Sequence, residues 1–228
     1  MKLLALDTSS VACTVAVQVG DEVTEQHEER PREHTRLLMP MIHAVLDTAE
    51  VGLSDLDGIV LGNGPGSFIG MRIAASVAQG LAHGANLNIA PVSSMAAIAA
   101  EVLSNRSGSV AVAQDAHMSE VYLGIYGKDD GGLTENIPER LQACEAIAEL
   151  ANMDDCIAAG FGWQRFPVLL EANRAFLQDV SEVWYPHGRY LLELGMSAFE
   201  RGEAVSAADV VPAYLRQKVA EKPKVPLR

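Results

Sequence analysis

The chain has 228 residues, 49% of them hydrophobic, which is enough for one core or two small ones. Its 30 acidic against 17 basic residues give a net charge of −13, which excludes broad neutralisation of a nucleic-acid backbone but leaves action on nucleic acid through a partner. No stretch stays apolar long enough to span a bilayer, and Asp7 interrupts the apolar N-terminal run, so a cytoplasmic protein with no membrane role is expected.

In chain order, Leu3 to Leu6 is a short apolar run ended by Asp7, Thr8, Ser9 and Ser10. Cys13 to Val19, the Gly20-Asp21 turn and Val23 to His27 continue as β-type sequence, giving three antiparallel strands with a hydroxyl-rich tip. A helix over about 34 to 49 carries Leu37, Leu38, Met41, Ile42, Val45, Leu46 and Ala49 on one wide apolar face, with Pro40 bending its first turns. A strand from Gly58 to Leu61 leads into GNGPGSF, residues 62–68. This glycine turn has two readings, a phosphate cradle at a helix N-terminus or a device that aims the next helix, with Ser67 as its cap.

That next helix, about 67 to 83, has two ridges. Gly70, Ala74, Ala78 and Ala82 recur every four residues and carry almost no side chain, so another helix can come close. Ile73, Val77 and Leu81 form a bulkier ridge expected to face the sheet. The small ridge packs either on the preceding helix of the same chain or, with that helix, forms a flat surface for a second protein, making a four-helix bundle. On the second reading Ala74→Arg or Ala78→Arg leaves a folded monomer that has lost its partner.

A strand (Leu87 to Val92), a helix (Ser94 to Leu103) and a polar stretch at 104–109 close the first half. The pattern then returns: Val110 to Ala113, a break at Gln114, Asp115, Ala116 and His117, Val121 to Tyr126 and an Asp/Gly turn. A helix over about 138 to 151, a strand at Cys156 to Ala159 and further helices follow. The expectation is an α/β protein of two lobes, 1–104 and a reduced 105–228, each a mixed sheet of RNase H-like βββαβαβα order, with the final helix packing back on the first lobe. Two such halves across a cleft describe the actin-like ATPase, sugar-kinase and Hsp70-type fold. In it Asp7 and Asp115 would be the two carboxylates of a nucleotide site, with Thr8 and Ser9 offering hydroxyls and backbone N–H groups to a phosphate. The plainer reading is ordinary Asp-Thr-Ser turn chemistry.

Other chemistry is sparse. Cys13, Cys144 and Cys156 are spaced like core residues. His27-Glu28 begins an HExxH-like string, but no second histidine follows and Pro31 breaks the helix it would need. All six histidines are expected to be structural or superficial, with no metal site.

The ordered set LALDTSSVACTVAV, PREHTRLLMPMI, GNGPGSFIGMRIAASVAQGLA, AQDAHMSEVY, AAGFGW and VPAYLR resembles the bacterial TsaB (YeaZ) family over nearly the whole chain. The resemblance implies a non-catalytic partner of the paralogue TsaD, working with the ATPase TsaE to place a threonylcarbamoyl group on adenosine 37 of tRNA, with tRNA met only indirectly. It also implies self-association when alone, and docking of TsaD, through Leu37, Leu38, Met41, Ile42, Val45, Gly70, Ala74, Ala78 and Ala82. No cofactor of its own is expected; ATP or ADP at the complex interface stays open. The catalytic paralogue carries two metal-binding histidines where this chain has Ser94 and Ile98, so that metal site cannot form here. His117 stands where the family more often has Arg. Rival activities are an ATP-dependent kinase or ATPase of the actin-like class and a peptidase. The basic, proline-rich tail AEKPKVPLR reads as a frayed end.

Overall fold

Residues 1–129, 131–153 and 155–216 are described by a computed structural model; the basic tail lies outside them. Alternating and continuous apolar runs build the first sheet from β1 (Lys2–Asp7), β2 (Ala12–Val19), β3 (Glu22–Glu29), β4 (Gly58–Gly62) and β5 (Asn88–Val92), in the order β3-β2-β1-β4-β5. β1 runs antiparallel to β2 and parallel to β4, with Leu6 opposite both Val15 and Leu61. Both faces of these central strands are apolar because helices cover both. On one side, α1 (His34–Thr48) and α2 (Phe68–Ala85) pack on Leu4, Leu6, Cys13, Val15, Ile59 and Leu61.

The second sheet repeats the plan with β6 (Ser109–Asp115), β7 (Glu120–Asp129), β8 (Gly132–Ala143), β9 (Cys156–Ala159) and β10 (Asp179–Val180), in the order β10-β9-β6-β7-β8. β6 is antiparallel to β7 and parallel to β9, as β1 is to β2 and β4. The weak repeat in the sequence is therefore a repeat of topology. α3 (Ser94–Val102) contacts β6, β7, β8 and β9 and joins the two sheets. α4 (Phe161–Arg165) and α5 (Pro167–Asn173) lie in the second half, with Trp163 and Leu169 in its core.

α6 (Gly188–Glu200) belongs to the second half of the sequence but covers the first sheet's other face, where Leu191, Leu192 and Ala198 meet Leu3, Ala5, Ala16 and Val60. A Cβ on Gly195 would stand 2.2 Å from Val60 and one on Gly188 2.5 Å from Ala16, so these glycines let the helix lie close to the strands.

One expected element is replaced. The stretch 138–151, expected as a helix, is the end of β8 followed by a 3₁₀ turn at Ala148–Asn152. Its Glu, Leu and Ala content favours a helix, but a hairpin with Gly132 at φ 113° offers β7 as a ladder partner first. Ile137 and Leu141 then pack half-buried against the second lobe's cores.

Candidate functional site

β1 ends on Asp7, which burial leaves 1% exposed, and every acceptor bond it makes is internal. Oδ1 accepts from the Ser9 backbone N–H at 2.7 Å and the Ser9 hydroxyl at 2.8 Å; Oδ2 accepts from the Ser94 hydroxyl. The Ser94 Oγ in turn accepts from the Gly64 N–H at 3.0 Å. Burial pushes the Asp7 carboxyl above its ordinary range, while the bonds from Ser94 and Ser9 pull it back. The Thr8 hydroxyl donates to the Gly70 carbonyl at 2.7 Å, and the Ser67 N–H donates to the Ser9 carbonyl at 2.6 Å.

The glycine turn is the seat of this knot. A Cβ on Gly62 would fall 2.0 Å from Asp7 Oδ2, one on Gly66 2.2 Å from the Ser9 carbonyl, and one on Gly70 1.9 Å from the Thr8 carbonyl. The glycines admit the tip of the first hairpin, and Ser67 caps α2 by accepting from the Gly70 N–H at 3.2 Å, as the sequence predicts. Asp7, Thr8 and Ser9, expected to grip a phosphate, are all buried; Asp7 and Thr8 are turned into this knot, and only Ser9 also borders the cleft beside it. The turn chemistry that was the plainer reading accounts for them.

A cleft of about 570 Å³ opens beside the knot, between the two sheets. Ser10, Ile73, Ile98, Asp115, Phe161 and Tyr185 are among the residues that line it, with the two aromatic rings 5.6 Å apart. Asp115 reaches the cleft as expected; its Oδ1 accepts from the His117 N–H at 2.7 Å and its Oδ2 lies 3.9 Å from Arg165. His117, Met118 and Ser119 follow in the left-handed region at φ 61°, 54° and 60°, an unusual run for three non-glycine residues. His34 also lines the cleft, and its buried Nε2 finds no hydrogen-bond partner among the described residues. His34 and Phe161 stand inside the PREHTRLLMPMI and AAGFGW strings, but nothing local gives either a place in a cleft, and no motif marks Tyr185 at all.

Ser94 and Ile98 lie on α3 as expected, both buried, and neither side chain suits a metal. Among the described residues no three His, Cys, Asp or Glu side chains converge to hold one. Burial raises the Cys13 thiol to about 12 and the Cys156 thiol to about 11, so both are core residues and poor nucleophiles.

The expected docking face needs correction. Leu38, Met41, Ile42 and Val45 of α1, and Gly70, Ala74, Ala78 and Ala82 of α2, are buried within this chain. All but Gly70 join the first sheet's apolar core, and Leu37 packs half-buried against it. The small ridge faces inward because its missing side chains let α2 lie close to the sheet and to α1. The bulkier ridge lies at the edge of the same core: Ile73, Val77 and Leu81 are half-buried and pack against it, while Ile69 at the start of the helix is 71% exposed. Met39 of α1 is also exposed.

The family of TsaD, tRNA N6-adenosine threonylcarbamoyltransferase, matches residues 21–224. A tRNA threonylcarbamoyladenosine biosynthesis protein TsaB of Haemophilus influenzae is 36% identical, over 100% of this chain and 98% of its own length. The TsaB of Escherichia coli is 35% identical over 97% of each. The solved structure of YeaZ from Pseudomonas aeruginosa superposes with a TM-score of 0.83 at 36% identity, over 94% of this chain and 99% of its own. A second Pseudomonas aeruginosa structure, described as an uncharacterized protein with similarity to peptidase YEAZ, gives 0.84 at the same identity, over 94% of this chain and 99% of its own. The chain therefore belongs to the TsaB (YeaZ) family and has its α/β fold of the actin-like ATPase type.

Proposed function

We propose that this chain acts in tRNA threonylcarbamoyladenosine synthesis in the cytoplasm, as a non-catalytic scaffold and activator of a TsaD-type enzyme. The observation that carries the reading is the closed knot at Asp7. The first lobe's carboxylate is buried, held by Ser9 and Ser94, and cannot turn toward a metal or phosphate without leaving those donors unpaired. A fold that has two lobes and a cleft but has closed one of its two Asp tips suits a support role. The ridge of α2 formed by exposed Ile69 and half-buried Ile73, Val77 and Leu81 is the part that docks a TsaD-like partner, or a second copy of this chain when alone. A TsaE-like ATPase completes the assembly, tRNA is met through the partner, and any ATP or ADP sits at the complex interface.

Reconstitution tests this directly. Threonylcarbamoyladenosine formed on tRNA by TsaD-type and TsaE-type proteins is expected to fall to background when this chain is omitted. Modification by this chain alone, or full-speed modification without it, overturns the proposal. The second reading, nucleotide turnover by this chain, draws on the open cleft of about 570 Å³ with Asp115 on its wall. Tight binding of ATP with Mg²⁺ and steady phosphate release by the isolated chain would favour it.

A further inference from the structure

Past α6, which already lies on the first sheet, the chain runs on over the first lobe as a strap. Val205 exchanges backbone hydrogen bonds with Ile89, at 2.8 and 2.9 Å, and Val210 is buried in the first sheet's core. Gln79 of α2 donates to the Ala207 carbonyl at 2.8 Å, and Asn63 donates to the Val211 carbonyl at 3.0 Å. The Arg72 guanidinium lies over the Phe68 ring at 3.8 Å and its Nε donates to the Tyr214 hydroxyl at 3.0 Å. The strap thus follows α2 to its first turn.

Two residues later it crosses to the other lobe. Arg216 Nη2 donates to the Ala116 carbonyl at 2.8 Å, to the His117 carbonyl at 3.3 Å and to Glu120 at 2.6 Å. These groups belong to the β6–β7 turn, where three consecutive residues hold left-handed backbone angles. Such a conformation persists only where its surroundings over-determine it. Beneath the crossing lies a cavity of about 150 Å³ lined by Tyr214 and Arg216. Gly66, Ser67, Asp115 and His117 border both it and the main cleft.

We propose that residues 203–216 form a latch that holds the two lobes at one cleft width, with Arg216 as its pin. One end is anchored along α2 and β5, the other on the turn that carries Asp115 and His117. Removing the guanidinium lets the turn relax and the cleft mouth at Ser67 and His117 widen. The isolated full chain suffices to test this, so the outcome does not depend on any partner.

Amide hydrogen exchange on Arg216→Ala and Arg216→Lys reads both walls. In the wild type the Ala116 and Glu120 amides bond within the turn, and the Ser67 and Met71 amides bond to Ser9 and Ser67 on the first lobe's wall, with no bond to Arg216. For Arg216→Ala the latch predicts exchange faster by ~10-fold or more at all four amides, with β1 and β9 unchanged. Faster exchange at Ala116 and Glu120 alone would reduce Arg216 to a local clamp and overturn the proposal. Should Arg216→Ala fail to fold, Arg216→Lys carries the same test. A lysine can pair with Glu120 but cannot also bridge both carbonyls, so a smaller rise on both walls supports the latch and a rise on the turn alone overturns it.

Discussion

At the scale of single residues, this protein is governed by what its buried polar groups are bonded to. Asp7 satisfies three donors, the Ser9 N–H and hydroxyl and the Ser94 hydroxyl. Asp7→Ala orphans them and is expected to lower unfolding free energy by roughly 2–4 kcal/mol in urea titration. Gly70→Ala is expected to be at least as damaging, by about 3 kcal/mol, because its Cβ would sit 1.9 Å from the Thr8 carbonyl oxygen, a backbone atom with no room to yield. His27 supplies a pH test. Its ring lies 4.3 Å from that of His187, and burial first, then the His187 charge, hold its pKa below 6.5. The unfolded chain therefore takes up the proton first, and stability falls as pH drops below about 6.5. Glu25 and Glu28 oppose the shift without reversing it. Subtracting a His27→Gln profile from wild type isolates this term: the difference should be flat above neutrality and grow to the disadvantage of wild type as pH falls.

At the scale of elements, α2 is the instructive case. Its period and both of its ridges are legible in the sequence, but the face each ridge takes is not. A small ridge can admit a partner's helix or its own sheet, and the periodicity is identical in the two cases. The sheet wins because close approach to β4 gains contact for Ala74 and Ala78 with no side chain to bend aside. Ala78→Arg, expected from sequence to yield a folded monomer, should instead unfold the protein, at a cost of about 4 kcal/mol or more for a fully buried cation. Ile69→Arg is the variant that keeps the fold, with stability within about 0.5 kcal/mol of wild type in thermal melts. If the bulkier ridge docks the partner, the same variant loses co-purification with it. β8 teaches a related lesson. Helix-favouring composition yields to a hairpin partner already in place, a non-local fact that a window of a dozen residues does not contain.

At the scale of the whole molecule, two sheets built on one plan are tied together by α3 between them, by α6 returning to the first, and by the strap to Arg216. The α3 junction has a half-buried acid at its centre. Glu139 of β8 accepts from the hydroxyl of Ser93, the cap of α3, and from the Tyr126 hydroxyl at 2.5 Å. Burial raises its pKa above 4.5, against the pull of those two hydrogen bonds. A raised folded pKa contributes stability that is full at low pH and is lost as pH rises from 4.5 through the folded value. Glu139→Gln keeps an oxygen for both hydroxyls and carries no charge to bury. It should therefore be more stable than wild type at neutral pH, with the advantage vanishing on titration below about 4.5, as followed by urea denaturation across pH.

The sequence by itself determined the strands and most helices, the repeat of the Asp-tipped hairpin and the ordered motifs that carry the family resemblance, which in turn implies that Ser94 and Ile98 stand where a paralogue has metal ligands. Those are local or ordered features, carried by hydrophobic period, turn residues and motif spacing. Only the tertiary structure decided that Asp7 is sealed rather than open, that α2 turns its small ridge inward, and that a C-terminal strap ties Arg216 to a turn almost a hundred positions earlier. Each depends on which distant surfaces meet, and burial and unpaired donors acquire their energies only once those surfaces have met.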